Sequence, residues 1–187
     1  MNNEKKFSIA VMPGDGIGTE IMTPCLEVMA AAIERVGGVQ MDFKTIEAGA
    51  KCYTKNGDAF PQESKDVALT ADAILLGAMG LPTVRYPNGT EIAPQLDLRF
   101  DLGLYAGVRP FRAVPGIPSP LSDPRAKDID FVLIRESTEG LFASHGKGTV
   151  ENDEVATETL VITRDVSERL FDFSFDLARQ RKSKGSM

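Results

Sequence analysis

The sequence has no tryptophan, a single histidine and only two cysteines. The one histidine, His145, gives the cysteines no histidine cluster to share a metal with. The thiols, Cys25 and Cys52, have no metal-ligand spacing, so they read as reduced core residues and not as a disulfide framework. No G-x-S-x-G elbow is present, which removes the commonest serine-hydrolase arrangement. Long apolar runs are lacking too: none approaches the roughly 20 residues of a membrane helix. The run Phe7 to Met12 is too short for a secretory signal core, and no small-residue cleavage site follows it. Positive charge is in deficit, with 21 Lys and Arg against 27 Asp and Glu and a net charge of −6. That balance argues against nucleic acid or an anionic membrane as partner, and with reduced thiols it makes the cytoplasm the expected compartment. A small anionic ligand stays compatible with it, because a local arginine cluster can override the global field.

What is there is an ordinary folded composition: 187 residues, 42% hydrophobic and 26% charged, enough for a sizeable core. Phe7 to Met12 is strand-like and runs into the turn Pro13-Gly14-Asp15-Gly16-Ile17-Gly18. Met22, Cys25, Leu26, Met29, Ile33 and Val36 then recur at helical spacing until Gly37-Gly38. Pro24 allows two readings, a start with Thr23 as cap or an earlier start kinked at the proline. Met41 to Ile46 alternates as a half-buried strand, Pro61 to Leu69 reads as a short helix, and Ala73 to Gly77 as a buried parallel strand. Strand and helix alternating in this way predict a mainly parallel sheet flanked by helices, an α/β fold. Prolines crowd residues 82–124, leaving room for a helix near Pro94 to Leu102 and a strand near Leu104 to Phe111. Ile129 to Ile134 is predicted as a further buried strand, Thr157 to Thr163 as an alternating one, and Val166, Leu170, Phe173 and Leu177 as one helix face before a polar, basic tail.

The glycine-rich turn stands where an anion could meet a helix N-terminus. Its glycine spacing misses the dinucleotide fingerprint, so it reads as a tight turn that lets backbone approach something closely. The stronger signal is three arginines, each at the end of an element: Arg99, Arg109 before Pro110, and Arg135 after Phe131 to Ile134. Guanidinium forks converging on one crevice suit a di- or tricarboxylate, each taking a carboxylate with two hydrogen bonds. Local ion pairs with Asp97, Asp101 or Glu136 are the competing reading. His145, between Ser144 and Gly146, reads as a solvated loop residue, and the acidic residues of 151–158 as a solvated stretch.

Three segments together resemble the β-decarboxylating dehydrogenases of the isocitrate, isopropylmalate, tartrate and malate type. They are Met12 to Glu20, Leu98-Arg99 with Arg109-Pro110, and Arg135-Glu136-Ser137-Thr138-Glu139-Gly140, in the family's order over the whole chain. The resemblance implies an isopropylmalate-dehydrogenase-like fold and oxidative decarboxylation of a 2-hydroxy di- or tricarboxylic acid, with NAD or NADP and Mg²⁺ or Mn²⁺. It implies that Arg99, Arg109 and Arg135 bind substrate carboxylates, and that Ile17 and Gly80-Leu81-Pro82 line the cofactor crevice. It also implies a first, cofactor-side domain over residues 1–103 and a second, substrate- and dimer-side domain over 104–187. An interlocking arm at about 148–163 would make a homodimer or higher homo-oligomer.

Two departures follow from the same comparison. The family's product-protonating tyrosine is replaced by Phe142, whose ring has no proton to give. This motivates a second reading, a non-catalytic regulatory or binding subunit. Family chains are also about twice as long; their metal ligands and catalytic lysine fall beyond residue 187, so these 187 residues alone are expected to be catalytically incompetent. Substrate choice is not legible, since Glu91 to Asp97 shows neither the serine and asparagine pattern of isocitrate enzymes nor the paired leucines of isopropylmalate enzymes.

Overall fold

The computed structural model describes residues 5–144 and 146–181; His145 and the tail after Arg181 lie outside the described residues. The chain divides into two compact units, Met1–Leu102 and Gly103–Met187.

In the first unit, β1 (Lys5–Met12) is the central strand of a three-stranded parallel sheet in the order β2-β1-β3. Its side chains alternate between two cores, as a pleat requires. Ala10 and Met12 join Ile46, Ala48, Ala68 and Leu98 on one side. Ile9 and Val11 pack against Met22 on the other. The flanking strands are β2 (Val39–Thr45) and β3 (Ala73–Leu76). β3 forms as expected, but it is not fully buried: Leu76 is 44% exposed. It lies at the sheet edge, where one side has no neighbouring strand among the described residues.

Helix α1 (Ile17–Val36) starts at the glycine turn and runs through Pro24, so the earlier of the two possible starts is the observed one. Pro24 lacks only the donor for one intrahelical bond and is exposed, where water can take the freed carbonyl. Gly37 ends the helix by donating its amide to the Ile33 carbonyl at 2.9 Å. Helix α2 (Ala50–Asn56) has no counterpart in the sequence reading, and its seven residues are too few to show a period. Helices α3 (Gln62–Thr70) and α4 (Pro94–Asp101) form close to where proline at their starts places them.

The second unit is a two-stranded ribbon, a short hairpin and a helix. β4 (Ala106–Arg112) pairs antiparallel with β5 (Asp130–Glu136). β5 is therefore not the buried strand its apolar run suggested, but one side of an antiparallel ribbon. Its exposure alternates, with Val132 and Ile134 half-buried and Phe131 and Leu133 exposed. The expected strand at 157–163 does not form either. The chain makes the hairpin β6 (Thr149–Glu151) and β7 (Val155–Thr157), and beyond it only Val161 bridges, to Gly140. Asn152 and Asp153 turn this hairpin with φ of 52° and 59°, the positive values of a type I′ turn, which these two residue types tolerate. Both hairpin strands are exposed throughout. Helix α5 (Arg164–Gln180) half-buries Val166, Leu170, Phe173 and Leu177, while Phe171 and Phe175 remain 46% and 44% exposed. Arg181 after it pairs with Asp130 at the start of β5.

Candidate functional site

In the first unit the glycine turn is organised by Asp15, whose role the sequence reading missed. The residue is 1% exposed. Its Oδ2 accepts from the amides of Ala50 at 2.8 Å and Gly80 at 2.9 Å, and its Oδ1 from the Lys51 amide at 2.8 Å. One carboxylate thus ties the β1–α1 turn to the start of α2 and to the loop after β3. The Asp15 amide in turn donates to the Ala78 carbonyl at 2.8 Å. Glycine is required where these segments meet. A Cβ on Gly14 (φ +76°) would stand 2.0 Å from the Ala78 oxygen, and one on Gly49 (φ +106°) 2.4 Å from Asp15 Oδ2. The close approach at this turn is therefore to the protein's own atoms, the Ala78 carbonyl and the Asp15 carboxylate.

The same stitching ties Gly80, one of the four residues expected to line a cofactor crevice, to the glycine turn. Ile17 opens α1 at 57% exposure, and Gly80 is bonded to Asp15, two positions before Ile17. Leu81 follows, with its Cδ2 only 3.7 Å from where a Cβ on Gly16 would sit, and Pro82 is exposed. An apolar surface of this kind suits a flat ring better than a charged group.

Arg99 lies half-buried in the last turn of α4. One turn earlier on the same helix face, at i−4, stands Gln95. Its Oε1 is buried and is the one such side-chain atom without a hydrogen-bond partner among the described residues. Asp101 on the same helix is ion-paired to Lys65 at 2.7 Å.

In the second unit, strand register decides how Arg109 and Arg135 relate. Arg109 stands opposite Leu133, and Arg135 opposite Gly107. Directly opposed residues share a face, as do residues two apart on one strand, so Arg109 and Arg135 share one face as diagonal neighbours. Both are exposed, and neither is ion-paired to a described residue. Phe111 and Phe131 continue that face as a stacked pair with centroids 4.9 Å apart.

The competing partner of Arg135 is occupied elsewhere. Glu136 Oε1 accepts from the Thr138 amide at 2.5 Å and hydroxyl at 2.7 Å, and Oε2 from the Glu139 amide at 2.7 Å. Burial pushes the Glu136 carboxyl up, but the Thr138 hydroxyl and the amides of Thr138, Glu139 and Ser137 outweigh it and hold the group below its usual range. A carboxyl depressed on folding stabilises above its unfolded value of about 4.3, and that stability is lost as pH falls through the lower folded value. Glu136→Gln is expected to cost roughly 1 to 2 kcal/mol near neutrality, a figure reduced for partial exposure. The difference from wild type should shrink below about pH 4. Thermal melts from pH 7 downward check this, and a gap that does not depend on pH contradicts it.

Glu139 ties the segment to the start of α5. Its Oε2 accepts from the Thr163 amide at 2.8 Å and its Oε1 from the Thr163 hydroxyl at 2.6 Å, where Thr163 caps α5. Phe142 follows in a short 3-10 turn, Phe142–Ser144, with its ring under the Arg135 guanidinium. Among the described residues no group of three His, Cys, Asp or Glu could hold a metal ion. No described helix is long and apolar enough to cross a membrane.

The isocitrate/isopropylmalate dehydrogenase family profile matches residues 8–186. The chain is 41% identical over 182 residues to a 3-isopropylmalate dehydrogenase of Corynebacterium kroppenstedtii, covering 95% of this chain and 52% of that protein. It is 34% identical over 181 residues to a probable tartrate dehydrogenase/decarboxylase of Bacillus subtilis, covering 96% of this chain and 50% of the relative. Among solved structures, isocitrate dehydrogenase from Methylococcus capsulatus matches with a TM-score of 0.73 at 32% identity, over 93% of this chain and 48% of the other. The chain belongs to the isocitrate/isopropylmalate dehydrogenase family and has its α/β architecture, with a parallel sheet flanked by helices. It spans about half the length of the curated relatives it matches.

Proposed function

We propose that these residues form the carboxylate-binding and part of the cofactor-binding surface of an NAD- or NADP-dependent, divalent-metal-dependent dehydrogenase that decarboxylates a 2-hydroxy di- or tricarboxylic acid. The observation that carries this is the shared face of Arg109 and Arg135, two guanidinium groups free of protein carboxylates. Two forks on one face take two substrate carboxylate oxygens pairs, orient the acid and offset its charge. Arg99 is proposed as a further carboxylate ligand on the family resemblance alone. Ile17, Gly80, Leu81 and Pro82 would hold the nicotinamide end of the cofactor, which when bound accepts the hydride from the substrate's 2-hydroxyl carbon. The described residues do not fit a divalent ion by themselves, since Asp101, Glu136 and Glu139 are each bound to other protein groups. The proposal therefore assigns this stretch no metal ligand, and expects the 187 residues alone to be inactive with added Mg²⁺ or Mn²⁺. A homodimer or higher homo-oligomer built through the exposed arm at 148–163, located in the cytoplasm, completes the reading. Its test is NAD(P) reduction by the protein at its natural length with Mn²⁺ and a panel of 2-hydroxy acids, together with sedimentation of the same sample. Absence of turnover across the panel contradicts it.

Phe142 supports a second reading, a binding subunit without turnover. Turnover that Phe142→Tyr leaves unaltered removes that support and assigns enolate protonation to water or another group.

A further inference from the structure

An unpaired arginine on an exposed ribbon needs something to hold its side chain in one orientation, because free rotamers must be frozen when a ligand binds. For Arg135 the neighbouring carboxylates do not supply it. Glu136 uses both oxygens on Thr138 and Glu139, and Glu139 uses both on Thr163. The group that meets Arg135 is Phe142, whose ring centroid lies 5.1 Å from the guanidinium carbon. Both side chains line one cavity of about 640 Å³, bounded also by Glu139, Ile162 and Leu170. The ring is itself held by its backbone. The Phe142 amide donates to the Glu139 carbonyl at 3.3 Å, and the turn continues into Ser144, which is 3% exposed.

We infer that Phe142 is a positioning residue for Arg135, holding the face of its guanidinium by cation–π attraction so that the N–H edge is presented to a substrate carboxylate. The inference rests on the proposed carboxylate role of Arg135. A guanidinium is planar, with all its donors in the plane, and its faces are weakly hydrated. Stacking on an aromatic face therefore orients it without using a single donor, whereas a glutamate partner would occupy the same edge that a substrate needs. The phenyl group lacks the hydroxyl needed to give a proton, but it keeps the negative ring face that this role requires. The replacement at this position thus separates two functions that a tyrosine would combine.

The test replaces Phe142 with phenylalanines carrying one, two and three ring fluorines, which drain the ring's negative face with little change in size. Malate affinity is read by calorimetry on the protein at its natural length. Affinity is expected to fall stepwise along the series, by roughly two- to fivefold in total. Phe142→Leu should bind as weakly as the trifluorinated protein, and Phe142→Tyr as tightly as wild type. A purely structural role would leave the fluorinated series flat while Phe142→Leu lowered thermal stability. A second readout needs no ligand: ring current should shift the Arg135 Hδ protons upfield by NMR, and Phe142→Leu should abolish the shift. A flat fluorine series, with malate bound and Arg135→Ala abolishing that binding, overturns the positioning role alone. An absent ring-current shift overturns it as well. Malate binding that Arg135→Ala does not change overturns the carboxylate reading and this inference with it.

Discussion

Alanine in place of Arg109 or Arg135 is expected to weaken binding of a 2-hydroxy dicarboxylate by about 100-fold, the equivalent of about 2.7 kcal/mol. The magnitude follows from removing one fork of a charged, two-bond contact and leaving the substrate carboxylate without its counter-charge. Lysine at either position keeps the charge but not the fork, and should recover about one of the two lost decades of affinity, leaving a deficit of about tenfold. Both side chains are exposed and neither is ion-paired to a described residue, so the same variants should melt within about 0.5 kcal/mol of wild type. That contrast separates a binding role from a structural one. Calorimetric titration with malate, run beside thermal melts, reads both quantities. Affinities unchanged by Arg109→Ala and Arg135→Ala would show that the ribbon's exposed face does not bind the acid.

The second large effect belongs to Asp15. Its carboxylate accepts the amides of Ala50, Lys51 and Gly80 at a position 1% exposed. Asp15→Ala leaves three donors without a partner, each costing about 1 to 3 kcal/mol in a buried setting. The expected loss is roughly 3 to 6 kcal/mol, a large share of the 5 to 15 kcal/mol that holds a typical domain together. Asp15→Asn should also be severe, because its amide nitrogen would face a backbone donor. Urea unfolding of the two variants measures this. A loss below about 1 kcal/mol would mean that water reaches the freed amides.

The sequence already showed much of this fold, and the reasons differ by element. The run Phe7 to Met12 reads as a strand because both of its faces are covered, and β1 is in fact the central strand. The pattern from Met22 to Ile33 reads as a helix because one face packs on the sheet, although Val36 at its end is 79% exposed. The second unit was harder to read for a physical reason. In β5 the apolar residues Phe131 and Leu133 stay exposed, so hydrophobicity alone does not distinguish a buried parallel strand from one side of an antiparallel ribbon. Of the alternating stretch Thr157 to Thr163, only Thr157, which ends β7 opposite Thr149, and Val161, which bridges to Gly140, are paired among the described residues.

The candidate site divides in the same way. The three arginines were visible in the sequence, Arg99 and Arg135 near the ends of their elements; Arg109, expected at a strand end, stands in the middle of β4, and the β4–β5 register brings it to one face with Arg135. Asp15 was hidden because its three partners lie 35, 36 and 65 residues away, which no local pattern can show. The glycines on either side of it were the available signal. Gln95 was equally hidden, since an unsatisfied oxygen is a property of packing and not of sequence.

The most direct test of the proposed chemistry is to follow CO₂ release and NAD(P)H formation together in reactions of the protein at its natural length with Mn²⁺ and each 2-hydroxy acid of the panel. The expected result is equal molar amounts of both products, with both rates falling in parallel in Arg109→Ala and Arg135→Ala. Reduced cofactor without CO₂, or neither product with any acid of the panel, would contradict it.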